Sequence, residues 1–316
     1  MTKRERFLAA VHGEPVDRPP VTAWVHFATD EEPPEVFADR AASFCERFDF
    51  DLCKVVNDYR YPLPAGLETL DSPRDMERIE PLPHSHEWFS LQPRAIRRLR
   101  ERLGPEVPII DTAFDAFQLV LRRAGYDRAA VVLADRERAR RMLHVVAQDM
   151  ARYLRAVREA GADGVFFSIN GAITAGRRAV DRDTFETLMR PFDLELLEAA
   201  APMVRILHVH GAPVEVSRVL DYPVEVLSVS DRLPGNPTLA QLRALTALPL
   251  MGGIDESLIC ERSVAALRAE IADAVRQNGG VRGLIIAPGC TIPTQTPSFL
   301  LRAMVETTRG LALAAA

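Results

Sequence analysis

The chain has 316 residues, 47% hydrophobic and 26% charged, with no apolar run near the ~18–20 residues of a membrane span. This composition excludes both an integral membrane helix protein and a disordered chain. A net charge of −5, from 39 basic and 44 acidic residues, provides no general field for a polyanion, so nucleic acid is not an expected partner.

Pro and Gly are spread along the chain and mark no flexible linker, so residues 1–316 are read as a single domain. The N-terminus has no apolar core followed by a cleavage site. The four cysteines (Cys45, Cys53, Cys260 and Cys290) are irregularly spaced and read as free thiols. A cytoplasmic protein is expected. Lys3 and Lys54 are the lysines; all other Lys/Arg positions are arginine, which reads as coding bias.

Eight short apolar runs bounded by Gly, Pro, Asp or Asn are candidate strands. The first, at 21–27, carries Trp24 and His26 near its end, and the second, at 51–57, ends in Asn57. The third (107–113) contains Asp111, and the fourth (164–170) has Ser168 and Asn170 at i, i+2. The fifth (205–211) repeats that spacing with His208 and His210, and the sixth (224–230) runs into Asp231. The seventh (248–254) precedes Asp255, and the eighth (283–289) precedes Cys290. Helical periodicity fills segments between them, with Gly104, Gly125, Gly161 and Gly279 as stops. Strand–helix alternation with eight strands predicts an α/β fold, a single (β/α)8 TIM barrel. The rival, an open doubly wound sheet, lacks a Gly-rich phosphate fingerprint after every strand.

In such a barrel the active site lies at the C-terminal strand ends. There Asp111, Asp231 and Asp255 are candidate acid/base groups, and Trp24, His26, Asn57, Ser168 and Asn170 are candidate substrate contacts. Asp255 reads equally as a helix cap, and Trp24 equally as packing. His208 and His210 share a strand face, and Cys290 follows another strand. Two nitrogens and one sulfur with an open fourth position suit a catalytic Zn2+. The plainer alternative is one metal-free catalytic histidine, with Cys290 as a small hydrophobe.

The opening KRERFLAAVHGEPVDRPPVTAW, with Gly13, Asp17 and Arg18 in a G-x-x-x-D-R-x-P turn, resembles the uroporphyrinogen decarboxylase superfamily. GADGVFFSING, LHVHG, LMGGID and APGCTIPTQTP follow in that superfamily's order. The resemblance implies a (β/α)8 barrel. True uroporphyrinogen decarboxylases carry an arginine-rich R-Q-A-G-R loop for the substrate's carboxylates, whereas no arginine lies between Arg18 and Arg40 here. Their late N-L-G-H-G motif is replaced by APGCTIP. The resemblance is closer to the cobamide-dependent methyltransferases, which hold zinc with H-x-C and a later cysteine. His208 and Cys290 match the outer ligands, while His210 stands where that branch has cysteine.

The resemblance therefore implies a zinc-dependent methyltransferase-like enzyme, with a corrinoid as methyl donor, a thiol or related acceptor and a corrinoid protein as partner. Imidazole in place of thiolate makes the zinc site more positive, which favours Lewis-acid work or a different acceptor. The competing expectations are a lyase or decarboxylase acting on a small carboxylated substrate and a non-catalytic partner of a corrinoid protein. Both a monomer and a homodimer agree with the sequence.

Overall fold

The computed structural model describes residues 1–314. Its elements run α1 (Lys3–Val11), α2 (Pro34–Phe48), β1 (Cys53–Lys54), α3 (Trp88–Leu103), β2 (Ile109–Phe114) and α4 (Ala116–Ala124). Next come α5 (Ala129–Leu133), α6 (Arg136–Glu159), β3 (Gly164–Ile169), α7 (Arg182–Thr184), α8 (Arg190–Ala200) and β4 (Val204–Val209). The chain finishes with β5 (Val226–Val229), α9 (Leu239–Leu245), β6 (Leu250–Ile254), α10 (Val264–Asn278), β7 (Leu284–Pro288) and α11 (Ser298–Ala314).

The strands form one seven-stranded parallel sheet in sequence order, β1 to β7. Parallel strands covered on both faces read as continuous apolar runs, and β2, β3, β6 and β7 are buried along their whole length. The surrounding helices follow from their caps and periodicity. Asp115 caps α4 through Gln118 N, Ser263 caps α10 through Ala266 N, and Gly279 ends α10 in the left-handed region.

The expected first strand at 21–27 does not form, so the sheet does not close as eight strands. Val21 alone bridges Ile286 of β7, in the parallel sense. Thr22 N donates to Ile286 O at 3.1 Å, and Asp51 N donates to Val21 O at 2.9 Å. Pro19 and Pro20 supply no N–H to extend a ladder upstream. Side chains reinforce this junction. The fully buried Asp51 carboxylate accepts from Arg6 Nη1 at 2.8 Å, Arg18 Nη1 at 2.6 Å, Arg18 Nη2 at 2.9 Å and Val21 N at 2.9 Å. Arg6 also pairs with Asp17, so the charged residues of the opening motif knit α1 to the sheet. All four cysteines are unpaired, and among the described residues no helix is long and apolar enough to cross a membrane.

Candidate active site

Strand alternation sends every second side chain into the space enclosed by the sheet. Lys54 and Val56 from β1 and its continuation, Thr112 and Phe114 from β2, Phe166 and Ser168 from β3, and His208 and His210 from β4 and the residue that follows it all line one cavity. Trp24 and His26 close it on one side, Cys290 and Thr291 follow β7, and Gln118, Arg122 and Tyr126 come from α4 and the turn after it. The cavity holds about 200 Å³, below the ~300–1,000 Å³ of pockets that enclose drug-sized ligands. A larger apolar groove of about 670 Å³, with Phe27, Phe44 and Leu301 in its wall, lies outside the sheet and gathers no comparable set of catalytic groups.

His208 is buried and stacks on Phe166, with ring centroids 4.8 Å apart and planes at 25°. Its Nδ1 lies 3.4 Å from Ser228 Oγ, and its buried Nε2 has no hydrogen-bond partner. Burial, followed by His210 and Lys54, pushes its pKa well below that of free imidazole. His210 Nδ1 donates to Asn170 Oδ1 at 2.8 Å, which directs Nε2 away from that bond. Burial, then the Arg178 and Arg122 charges, lowers its pKa to about 4. Both rings are therefore neutral near pH 7, and their centroids are 5.7 Å apart.

Cys290 follows a tight passage of backbone. A Cβ on Gly289 would come within 2.5 Å of Ser230 Cα and 2.8 Å of Glu256 Oε2, so only glycine fits there. Burial, then the Glu256 charge, pushes the Cys290 thiol pKa up and keeps it protonated.

Lys54 was not expected at the site, although its signal is in the sequence: it is a lysine in a chain whose basic residues are nearly all arginine. Its ammonium lies beside an aromatic pair, 4.1 Å from both the Trp24 and the Phe166 ring centroid, and burial lowers its pKa to about 7. Cation–π contacts contribute about 0.5–2 kcal/mol each, whereas burying an ion costs several kcal/mol. Arg122 is a second unexpected cation. It covers the Phe114 ring at 3.9 Å and donates to Asn57 O at 3.1 Å. His26 Nδ1 pairs with Asp58 Oδ1 at 2.5 Å on the half-exposed rim.

The structure thus gathers Trp24, His26, Ser168, His208, His210 and Cys290, with Asn170 behind His210. It does not bring Asn57, Asp111, Asp231 or Asp255 to the cavity wall. Asn57 donates to Tyr153 OH at 2.9 Å. Asp111 alternates with the inward-facing Thr112 and accepts from Tyr153 OH at 2.6 Å and Gln92 Nε2 at 2.7 Å. Asp231 accepts from Gly253 N at 2.8 Å. Asp255 accepts from Ser257 N at 3.0 Å and Leu258 N at 3.1 Å, capping the following turn.

Asp111 consequently has a structural role. Its pKa is raised to about 6, chiefly by burial. The folded state binds this proton more tightly than the unfolded state, so the contribution to stability is complete below about pH 4 and lost as pH rises through about 6. Asp111→Ala is expected to cost about 1–3 kcal/mol in urea unfolding by stranding Tyr153 and Gln92. Asp111→Asn should flatten the pH 4–6 stability profile. Turnover lost at unchanged stability would contradict this role.

The expected zinc donors share the cavity but do not converge on one point. Among the described residues, no group of three His, Cys, Asp or Glu side chains is arranged to hold a metal ion. The nearby Lys54 ammonium adds repulsion toward a dication. As arranged, these residues do not fit the expected zinc.

A family profile described as uroporphyrinogen decarboxylase (URO-D) matches residues 56–311. The chain belongs to this family. Methylcobamide:CoM methyltransferase MtbA of Methanosarcina acetivorans is 23% identical over 337 residues, spanning 96% of this chain and 97% of that protein. Uroporphyrinogen decarboxylase of Thermus thermophilus is 28% identical over 246 residues, spanning 74% of this chain and 67% of that protein. A solved methyltransferase from Methanosarcina mazei covers 98% of each chain with a TM-score of 0.75 at 20% identity. That likeness supports the TIM-barrel-like fold. The relatives of this chain thus include both a methyltransferase and a decarboxylase.

Proposed function

We propose that this URO-D family member transfers a methyl group from a methyl-corrinoid to a small thiol within the cavity bounded by His208, His210 and Cys290. The observation that carries the reading is the unpartnered Nε2 of a buried, neutral His208. The match to MtbA along nearly the whole of both chains supports the methyl-transfer class. A cavity of about 200 Å³ also favours a small acceptor over an enclosed tetrapyrrole.

The acceptor thiol gives its proton to His208 Nε2 as its sulfur forms the new S–CH3 bond. The electron pair of the broken donor–methyl bond remains with the donor. His210, oriented by Asn170, packs its ring beside His208 and holds the acceptor in place. Trp24 and Phe166 wall the cavity with apolar surface and limit water around the sulfur. Cys290 remains a thiol and contributes to the wall.

The test is to incubate purified protein with methylcobalamin and a panel of small thiols, following loss of the methyl-corrinoid absorbance and the thioether by mass spectrometry. Enzyme-dependent thioether is the expected result. Release of CO2 from a carboxylated substrate, without methyl transfer to any thiol, would overturn it in favour of a decarboxylase.

A further inference from the structure

Segment 24–27 is a wall between two hollows. Trp24 and His26 line the strand-end cavity, whereas Val25 and Phe27, alternating with them, line the larger groove outside the sheet. The chain after β7 divides in the same way: Cys290 and Thr291 face the cavity, and Pro293 and Thr294 face the groove. Ile292 N donates to Trp24 O at 3.2 Å and joins the two halves of this wall. The far side of the groove is α2, with Leu301 of α11 beside it.

The groove is shaped and charged like a ligand site. Its volume of about 670 Å³ lies within the ~300–1,000 Å³ of small-molecule pockets. Its aromatic wall is preformed: Phe44 meets Phe27 and Phe48 edge-on, with centroids 5.9 and 5.2 Å away. Two guanidiniums of α2, Arg40 and Arg47, stand over these apolar surfaces. Among the described residues, Arg47 has no hydrogen-bonded or ion-paired acceptor and rests on the Phe48 ring at 5.6 Å. Arg40 donates to Phe27 O at 3.3 Å and has no carboxylate partner among the described residues. Asp39, the carboxylate in the lining, is already taken by Arg98 at 3.2 Å and Arg102 at 3.6 Å. The groove therefore joins apolar walls to uncompensated positive charge.

We infer that this groove binds an amphipathic carboxylate of the medium-chain fatty-acid class, its alkyl chain against Phe27, Phe44 and Leu301 and its head on Arg47. The chain removes apolar surface from water, and the carboxylate gives the planar guanidinium the acceptor it lacks. Arg40 adds a second positive charge to the same edge. A second copy of this chain is a poorer occupant, because a two-fold contact through the groove sets arginine against arginine. The site is separate from the strand-end cavity and stands independently of the methyl-transfer reading.

Calorimetric titration of the purified protein with decanoate, hexanoate and decan-1-ol, all below their aggregation limits, tests the inference. Decanoate is expected to bind saturably and about 5- to 20-fold tighter than decan-1-ol, the effect of a partly exposed charge-assisted hydrogen bond. Each CH2 added between hexanoate and decanoate should tighten binding about two- to fourfold. Arg47→Gln should remove most of the preference for decanoate over the alcohol while leaving decan-1-ol affinity within about threefold. Ser43→Phe, at an exposed position of the lining, should fill the groove and weaken both ten-carbon probes at least tenfold. Arg47 makes no bond that its replacement would break, so the charge arm decides the matter if Ser43→Phe does not fold. Equal affinities of decanoate and decan-1-ol for the wild type, or a preference unchanged in Arg47→Gln, overturns the inference. So does a dimer in sedimentation that excludes decanoate, which assigns the groove to a second copy.

Discussion

Asp51→Ala is expected to lower the unfolding free energy by about 3–5 kcal/mol, the cost of breaking a buried charge cluster from one side. The carboxylate is fully buried and accepts four hydrogen bonds, three from guanidinium groups. Arg6 retains Asp17 after the change, but Arg18 loses the carboxylate that binds it through two nitrogens. A domain stable by about 5–15 kcal/mol loses a large share of its margin. Asp17→Ala is the control: that carboxylate is 37% exposed, and its loss should cost about 0–1 kcal/mol. Urea unfolding measures both. A loss below about 1 kcal/mol for Asp51→Ala would show that the cluster contributes little.

His208→Asn is expected to reduce thiol methylation about 10²–10⁴-fold, the usual contribution of a positioned proton acceptor. The amide retains a polar group near Ser228 but cannot accept a proton at neutral pH. His210→Asn should also lower the rate. If the two rings serve one acceptor, the double variant will be little worse than His208→Asn alone. Single-turnover rates with methylcobalamin separate this effect from product release, and near-UV circular dichroism reports whether the ring's stack on Phe166 matters to the fold. Stoichiometric zinc in the wild-type protein, lost together with activity in His208→Asn, would overturn proton acceptance and make the ring a metal ligand.

The sheet was largely legible because parallel strands covered by helices are short, continuous apolar runs with turn residues at both ends. Cys290, His208 and His210 stand out in the sequence because they are polar residues at strand ends against that background, and the structure places all three on one cavity. Which face each residue takes was less legible. Asp111 was read as a pocket group, yet the alternation that turns Thr112 and Phe114 inward turns Asp111 toward Tyr153 and Gln92. A single strand carries no mark of its own phase when both faces are buried. Lys54 lies in an apolar run and carries no signal of its role there, because its meaning depends on Trp24 and Phe166, which arrive from distant parts of the chain. The segment at 21–27 had the hydrophobicity of a strand, but not the paired backbone of one.

The single bridge at Val21 has a mechanical consequence. Between β3 and β4 the register runs unbroken from Gly164–Val204 to Ile169–Val209, so the wall carrying both imidazoles is firmly laced. The opposite wall is stitched by a few backbone bonds and the Asp51 charges. Local opening begins where lacing is thinnest, so the Trp24 side yields first. Amide exchange is therefore expected to be faster at Trp24 and Val25 than along β3 and β4.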